Sequence, residues 1–85
     1  MSNIKETLDE REKTHGDFAN HALISQKLKL AMFHSGCWEG LSNVQQEALE
    51  MIQHKVARIL NGDSDYKDHW HDIAGYATLV EKELL

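Results

Sequence analysis

An 85-residue chain has room for one domain and one modest core, because a chain this short buries only about 60% of the surface it exposes when unfolded. Its 9 Lys+Arg against 14 Asp+Glu give a formal charge of −5, the wrong sign for a protein that gains affinity by neutralising the phosphates of duplex DNA. The lone Cys37 excludes an internal disulfide, and with no apolar run near the ~20 residues of a membrane span and no signal-like N-terminus, the expectation is a soluble cytoplasmic protein without membrane contact.

No proline interrupts the chain, and 41% of its residues are hydrophobic, which suits helices. Ser2, with Glu6 nearby, offers a loose N-cap for a first helix that carries Ile4, Leu8 and Arg11 on one face and ends near Gly16. Asp17 caps a second helix, Phe18 to about His34, whose apolar residues surround most of its circumference. Such a helix belongs at the centre of the fold or between subunits. Ser35 to Leu41 contains two glycines and no helical period, so it reads as a connection pinned by Trp38 and Leu41.

Ser42 restarts the chain into a third helix, about Asn43 to Asn61, which Asn61-Gly62-Asp63 stops because Asn and Gly tolerate the left-handed conformation. A loop follows to Lys67. Asp68 is expected to cap the last helix, Trp70 to Leu85, where Ile73, Tyr76, Ala77, Val80 and Leu84 recur at helical spacing. The predicted fold is all-α, a small bundle of about four helices in a single domain spanning residues 1–85, completed by oligomerisation.

Two residues break the apolar pattern. On the third helix Val44, Ala48, Met51, Ile52, Val56 and Ile59 share a face, and Lys55 projects into it. Glu47, Met51, Lys55 and Arg58 form a continuous stripe at its edge, with Glu50 and His54 further towards solvent. On the fourth helix Asp72 sits one turn after Asp68, bordering the core, and Gly75 interrupts the helix as if a neighbour approached closely. One account pairs Lys55 with Asp72 across two packed helices and leaves Glu47 paired with Arg58 or solvated. The other builds a ligand site, with Glu47, Glu50, Asp68 and Asp72 holding Mg2+ and Lys55 and Arg58 holding a polyphosphate. Arg11, His15 and Asp17, around the first turn, would then close over that site.

The remaining polar and aromatic residues add little chemistry. The six histidines show no i, i+4 pair that would mark zinc, and Cys37 lacks the neighbours of a reactive thiolate. Trp38, Trp70 and Tyr66 are expected to fill the core or a subunit contact.

The segments Arg11-Glu-Lys-Thr-His-Gly-Asp-Phe, Glu47 to Gly62 and Asp68-His-Trp-His-Asp-Ile-Ala-Gly-Tyr-Ala-Thr-Leu resemble, across most of the chain, a family of small phage and prophage proteins of unknown function. More distantly, the two-helix arrangement is similar to the MazG-like all-α nucleotide pyrophosphohydrolases. That resemblance implies Mg2+ held by acidic motifs on successive helices, a nucleoside triphosphate cleaved between its α- and β-phosphates, and bundles completed by assembly into homo-oligomers. Carried over by position, Glu47 and Glu50 match the first acidic motif and are the implied catalytic residues. Asp68 and Asp72 stand at a different spacing from the second motif. Lys55, Arg58, Arg11, His15 and Tyr76 are the implied ligand contacts. The alternative is a non-catalytic phage accessory protein that binds a nucleotide or a host protein.

Overall fold

Short polar side chains start three of the four helices. The computed structural model describes residues 3–84, and there Asn3 caps α1 (Ile4–His15), its side chain accepting a hydrogen bond from the Glu6 amide at 2.9 Å. Ser2, the expected cap, lies outside the described residues, as does Leu85. Asp17 caps α2 (Phe18–Phe33) by accepting from the Asn20 amide. Ser42 opens α3 (Asn43–Asn61) through a reciprocal box, its hydroxyl accepting from the Gln45 amide while the Gln45 side chain accepts from the Ser42 amide.

α4 (Lys67–Glu81) departs from expectation. It begins at Lys67, Tyr66 occupies the cap position without a side-chain bond, and Asp68 lies inside the first turn, where its charge favours the helix N-terminus without capping it. No strand occurs among the described residues, so the fold is a small all-α bundle.

The chain between α2 and α3 includes a 3₁₀ turn at Trp38–Gly40. The Trp38 ring packs 5.0 Å from the Phe33 ring and its carbonyl accepts from the Gln46 side chain, so Trp38 does pin the connection. Trp70 behaves differently: it is largely exposed, and its indole N–H donates to the Ser64 carbonyl at 2.8 Å, latching the α3–α4 loop.

α3 is the hub, packing against α4 most extensively, then α2, then α1. The single apolar face read from the sequence is the one toward α4, where Ala48 is buried and Ile52 lines the gap to Ala77 and Val80. A second face, toward α2, is buried as deeply and is partly polar. Gln53 and Ala57 are buried on α3, and the Ser25 hydroxyl of α2 donates to the Gln53 side-chain oxygen at 3.2 Å.

The ends of α1 and α3 cross at close range. Gly62 has φ −125°, so the left-handed stop expected at Asn61-Gly62 is not used; glycine is needed because a Cβ at position 62 would run into the Thr14 carbonyl. Gly16 does require φ +79°, and a Cβ there would strike the Asn61 carbonyl. Asn61 fastens the crossing: its side-chain NH2 donates to the carbonyls of His15 (3.0 Å) and Asp17 (2.7 Å), and its oxygen accepts from the Asn20 amide group. Asp63 completes it with a backbone bond to Thr14.

Candidate functional site

The two residues that broke the apolar pattern meet. Lys55 Nζ lies 2.9 Å from Asp72 Oδ2, with the lysine side chain only 12% exposed and the aspartate 42%. The hydrogen bond from Lys55 holds the Asp72 carboxyl below its ordinary value. This satisfies the charge of both residues inside the fold, so Lys55 is engaged rather than presented to a ligand.

The other carboxylates of the expected metal set do not join this pair. Glu47 and Asp68 are exposed and Glu50 is half-buried. Among the described residues no three His, Cys, Asp or Glu side chains are grouped to hold a metal ion. The carboxylates of this chain therefore do not fit Mg2+ as a shared ligand set: Glu47, Glu50, Asp68 and Asp72 are spread along α3 and α4, and Asp72 already faces a cation. Tyr76, Asp72 and Gly75 line a shallow groove along α4. Beyond the backbone of α4 itself nothing would meet a Cβ at Gly75 within 4 Å, so the close approach inferred from that glycine is not made among the described residues.

Arg11, His15 and Arg58 do converge, in a groove that α4 does not line although His69 of α4 packs behind His15. The groove, of about 450 Å³, lies between α1, the start of α2 and α3, and is lined as well by His21, His54 and Phe18. Sequence spacing placed Arg58 on a stripe with Lys55; in the fold the two take different partners, Lys55 pairing with Asp72 and Arg58 lining the groove. Asp17 and Glu12 also line it, the Asp17 carboxylate accepting from the Asn20 amide.

Arg58 is the unusual member. It is half-buried, and among the described residues neither it nor Arg11 has a carboxylate in ion-pair range. Burial and the nearby Arg11 guanidinium push its pKa down, with Asp72 opposing weakly from further off. The histidines around it respond to the same conditions. His15 and His54 are each lowered from 6.5 to about 4, by burial first and by the Arg58 charge second, and His21 is lowered for the same reasons. At neutral pH the groove therefore presents guanidinium charge between uncharged imidazoles.

Two buried histidines, His21 in the groove wall and His69 behind His15, were missed in the sequence. His21 is 6% exposed and its Nδ1 has no hydrogen-bond partner; its ring meets His54 edge-on at 4.7 Å. His69 is 1% exposed, packs between the rings of His15 (4.9 Å) and Tyr66 (4.8 Å), and leaves Nε2 without a partner. Unpaired buried polar atoms are rare in folded proteins. The available signal was the one-turn spacing of His21 and Ser25 on a helix otherwise rich in apolar residues.

The family described as domain of unknown function (DUF6378) matches residues 1–83. The chain belongs to that family. Comparison with curated proteins and with solved structures gave no match. The match to the DUF6378 family runs through every residue of the groove and through both members of the Lys55–Asp72 pair. None of the described helices is long and apolar enough to cross a membrane.

Proposed function

We propose that this protein binds a nucleotide, or a closely similar phosphorylated small molecule, in the groove between α1, α2 and α3. The observation that carries the reading is Arg58, a half-buried guanidinium without a carboxylate partner beside the second guanidinium of Arg11. Leaving such a charge unpaired is costly, and an incoming phosphate removes the cost while accepting charge-assisted hydrogen bonds. The groove volume lies within the usual range for small-molecule sites. Phe18 and the imidazoles offer flat apolar faces for a base, and the Glu12 carboxylate offers an acceptor for a base amino group.

This reading suits the accessory role drawn from the resemblance to small phage proteins, in which a nucleotide is held without chemistry. The MazG-like version, release of pyrophosphate with Mg2+ on Glu47, Glu50, Asp68 and Asp72, would need carboxylates from outside the protomer to complete the metal site. A groove that served a host protein instead would bind no nucleotide at all.

Thermal-shift and calorimetric titration with nucleoside mono- and triphosphates and with inorganic phosphate, each with and without Mg2+, tests the proposal. Stabilisation by nucleotide without Mg2+, lost in Arg58→Gln, is expected. Failure of every nucleotide to bind, or unchanged binding by Arg58→Gln, overturns it. Pyrophosphate release that depends on Mg2+ and Glu50 would favour the hydrolytic version.

A further inference from the structure

α2 carries two stripes at alternating spacings of three and four residues, and they face opposite ways. His21, Ser25, Leu28 and Met32 turn inward, where His21 and Ser25 are buried and Leu28 and Met32 half-buried. Ala19, Leu23, Gln26, Leu30 and Phe33 turn outward, and all five are exposed, Leu23 at 53% and Leu30 at 56%. The inward stripe of this helix is thus its more polar one. An outward stripe with a 4-3-4-3 spacing has the pattern of a coiled-coil seam, in which each apolar residue seats between residues of a facing helix.

The chain leaves more surface exposed than a compact fold of its size, enough to supply an interface. Its accessible surface is 6416 Å², whereas a compact chain of 9.7 kDa exposes about 5,100 Å². Its radius of gyration is 14.7 Å against about 12 Å for a compact chain of this length. The excess of about 1,300 Å² exceeds the roughly 800 Å² that each partner contributes to a standard stable interface.

We infer that α2 pairs with α2 of a second copy, antiparallel, about a twofold axis passing beside Gln26. The stripe is nearly symmetric about that residue: Ala19 and Phe33 are each seven positions away, Leu23 three and Leu30 four. A twofold axis there sets Gln26 against its own copy, Leu23 against the partner helix near its Leu30, and Ala19 opposite the bulky Phe33, small against large. The two amide side chains on the axis can hydrogen-bond to each other, the use to which a polar residue in an apolar seam is put to set register. Antiparallel α2 helices also oppose their dipoles favourably. Lys27 falls next to its own copy in this register, so the pairing is opposed by that like-charge contact and is strengthened by salt. The inference does not draw on the nucleotide groove, which lies on the other side of α2.

Sedimentation equilibrium of the full chain, with Leu23→Glu/Leu30→Glu as the variant, tests the interface. The wild type sediments as a dimer whose dissociation constant falls as salt rises, and the double variant associates roughly 100-fold more weakly, a factor of about ten for each leucine. Both leucines are exposed in the protomer, so helical content by circular dichroism stays unchanged. Oxidative cross-linking in a Cys37→Ser background fixes the register independently: Gln26→Cys forms a disulfide dimer, whereas Leu23→Cys alone does not. A monomeric wild type, a double variant that dimerises as tightly as the wild type, or a Gln26→Cys protein that fails to cross-link overturns the inference. Cross-linking by Leu23→Cys alone overturns the antiparallel arrangement.

Discussion

Lys55 and Asp72 join α3 to α4 through one ion pair at 2.9 Å, the lysine buried and the aspartate near solvent. The asymmetry decides what each substitution does. Lys55→Met removes the buried charge and keeps the packing of its stem, so its stability stays within about 1 kcal/mol of the wild type. Asp72→Asn leaves the buried ammonium without a counter-charge and gives the lower denaturation midpoint of the two. Because Lys55 holds the Asp72 carboxyl below its ordinary 3.8, the pair contributes stability above that value and loses it as pH falls through the depressed one. Urea titrations of the three proteins at pH 7 and pH 3 check both statements.

Arg58→Gln is expected to separate binding from stability. Loss of charge-assisted bonds worth about 1.5–3 kcal/mol weakens nucleotide binding by roughly 10- to 100-fold. The unliganded variant is as stable as the wild type or more so, because a half-buried charge without a carboxylate partner has been removed. Lys55→Gln, whose ammonium faces Asp72, changes affinity by less. Calorimetric titration paired with thermal melting reads both quantities.

The histidines make stability fall with acid. His15 and His54 bind protons near pH 4 in the folded protein and near 6.5 when unfolded, so their contribution is complete above 6.5 and declines from there towards pH 4. Allowing for the solvent that screens these partly buried rings, each accounts for on the order of 1–2 kcal/mol. His54→Gln flattens the melting temperature against pH between 7 and 4.5. Bound nucleotide raises the proton affinity of both rings, which ring NMR shifts report directly.

Asn61 bridges backbone carbonyls of residues more than forty positions away. Asn61→Ala leaves the His15 and Asp17 carbonyls without that donor and costs about 1–3 kcal/mol. Gly16→Ala costs at least about 1–2 kcal/mol from its positive φ alone, before the new Cβ meets the Asn61 carbonyl. Both changes also loosen the turn that carries His15, so they weaken nucleotide binding. Chemical denaturation with a parallel binding measurement distinguishes them from Arg58→Gln, which leaves stability intact.

The elements of this fold were legible because their signals are local. Asp17 and Ser42 each act within one turn of their own helix, and the alternation of polar and apolar residues reports a helix whatever it packs against. The end of α3 was placed correctly at Asn61-Gly62, but its cause is the crossing with α1 and not a left-handed stop. The Lys55–Asp72 pair was legible for a related reason: consecutive helices joined by a short loop pack side by side, and each residue intruded on an apolar face. Asp68 was misassigned as the cap because a capping residue and a first-turn carboxylate look alike in sequence and differ only in backbone conformation.

The place of the candidate site was settled by tertiary structure alone. Helical spacing put Arg58 beside Lys55, yet α1 and α2 arrive from about forty residues earlier and give Arg58 different neighbours. Periodicity shows that a face is distinct, but not which element will cover it. For that reason α2, apolar around most of its girth, buries His21 and Ser25 and leaves Leu23 and Leu30 outside. By itself the sequence determined four helices and offered the Lys55–Asp72 pair as one of two accounts, through interactions that reach a turn or a neighbouring helix; tertiary packing decided for that pair and decided that Arg11, His15, His21, His54 and Arg58 share a groove, because contacts across such distances in sequence exist only once the chain has folded.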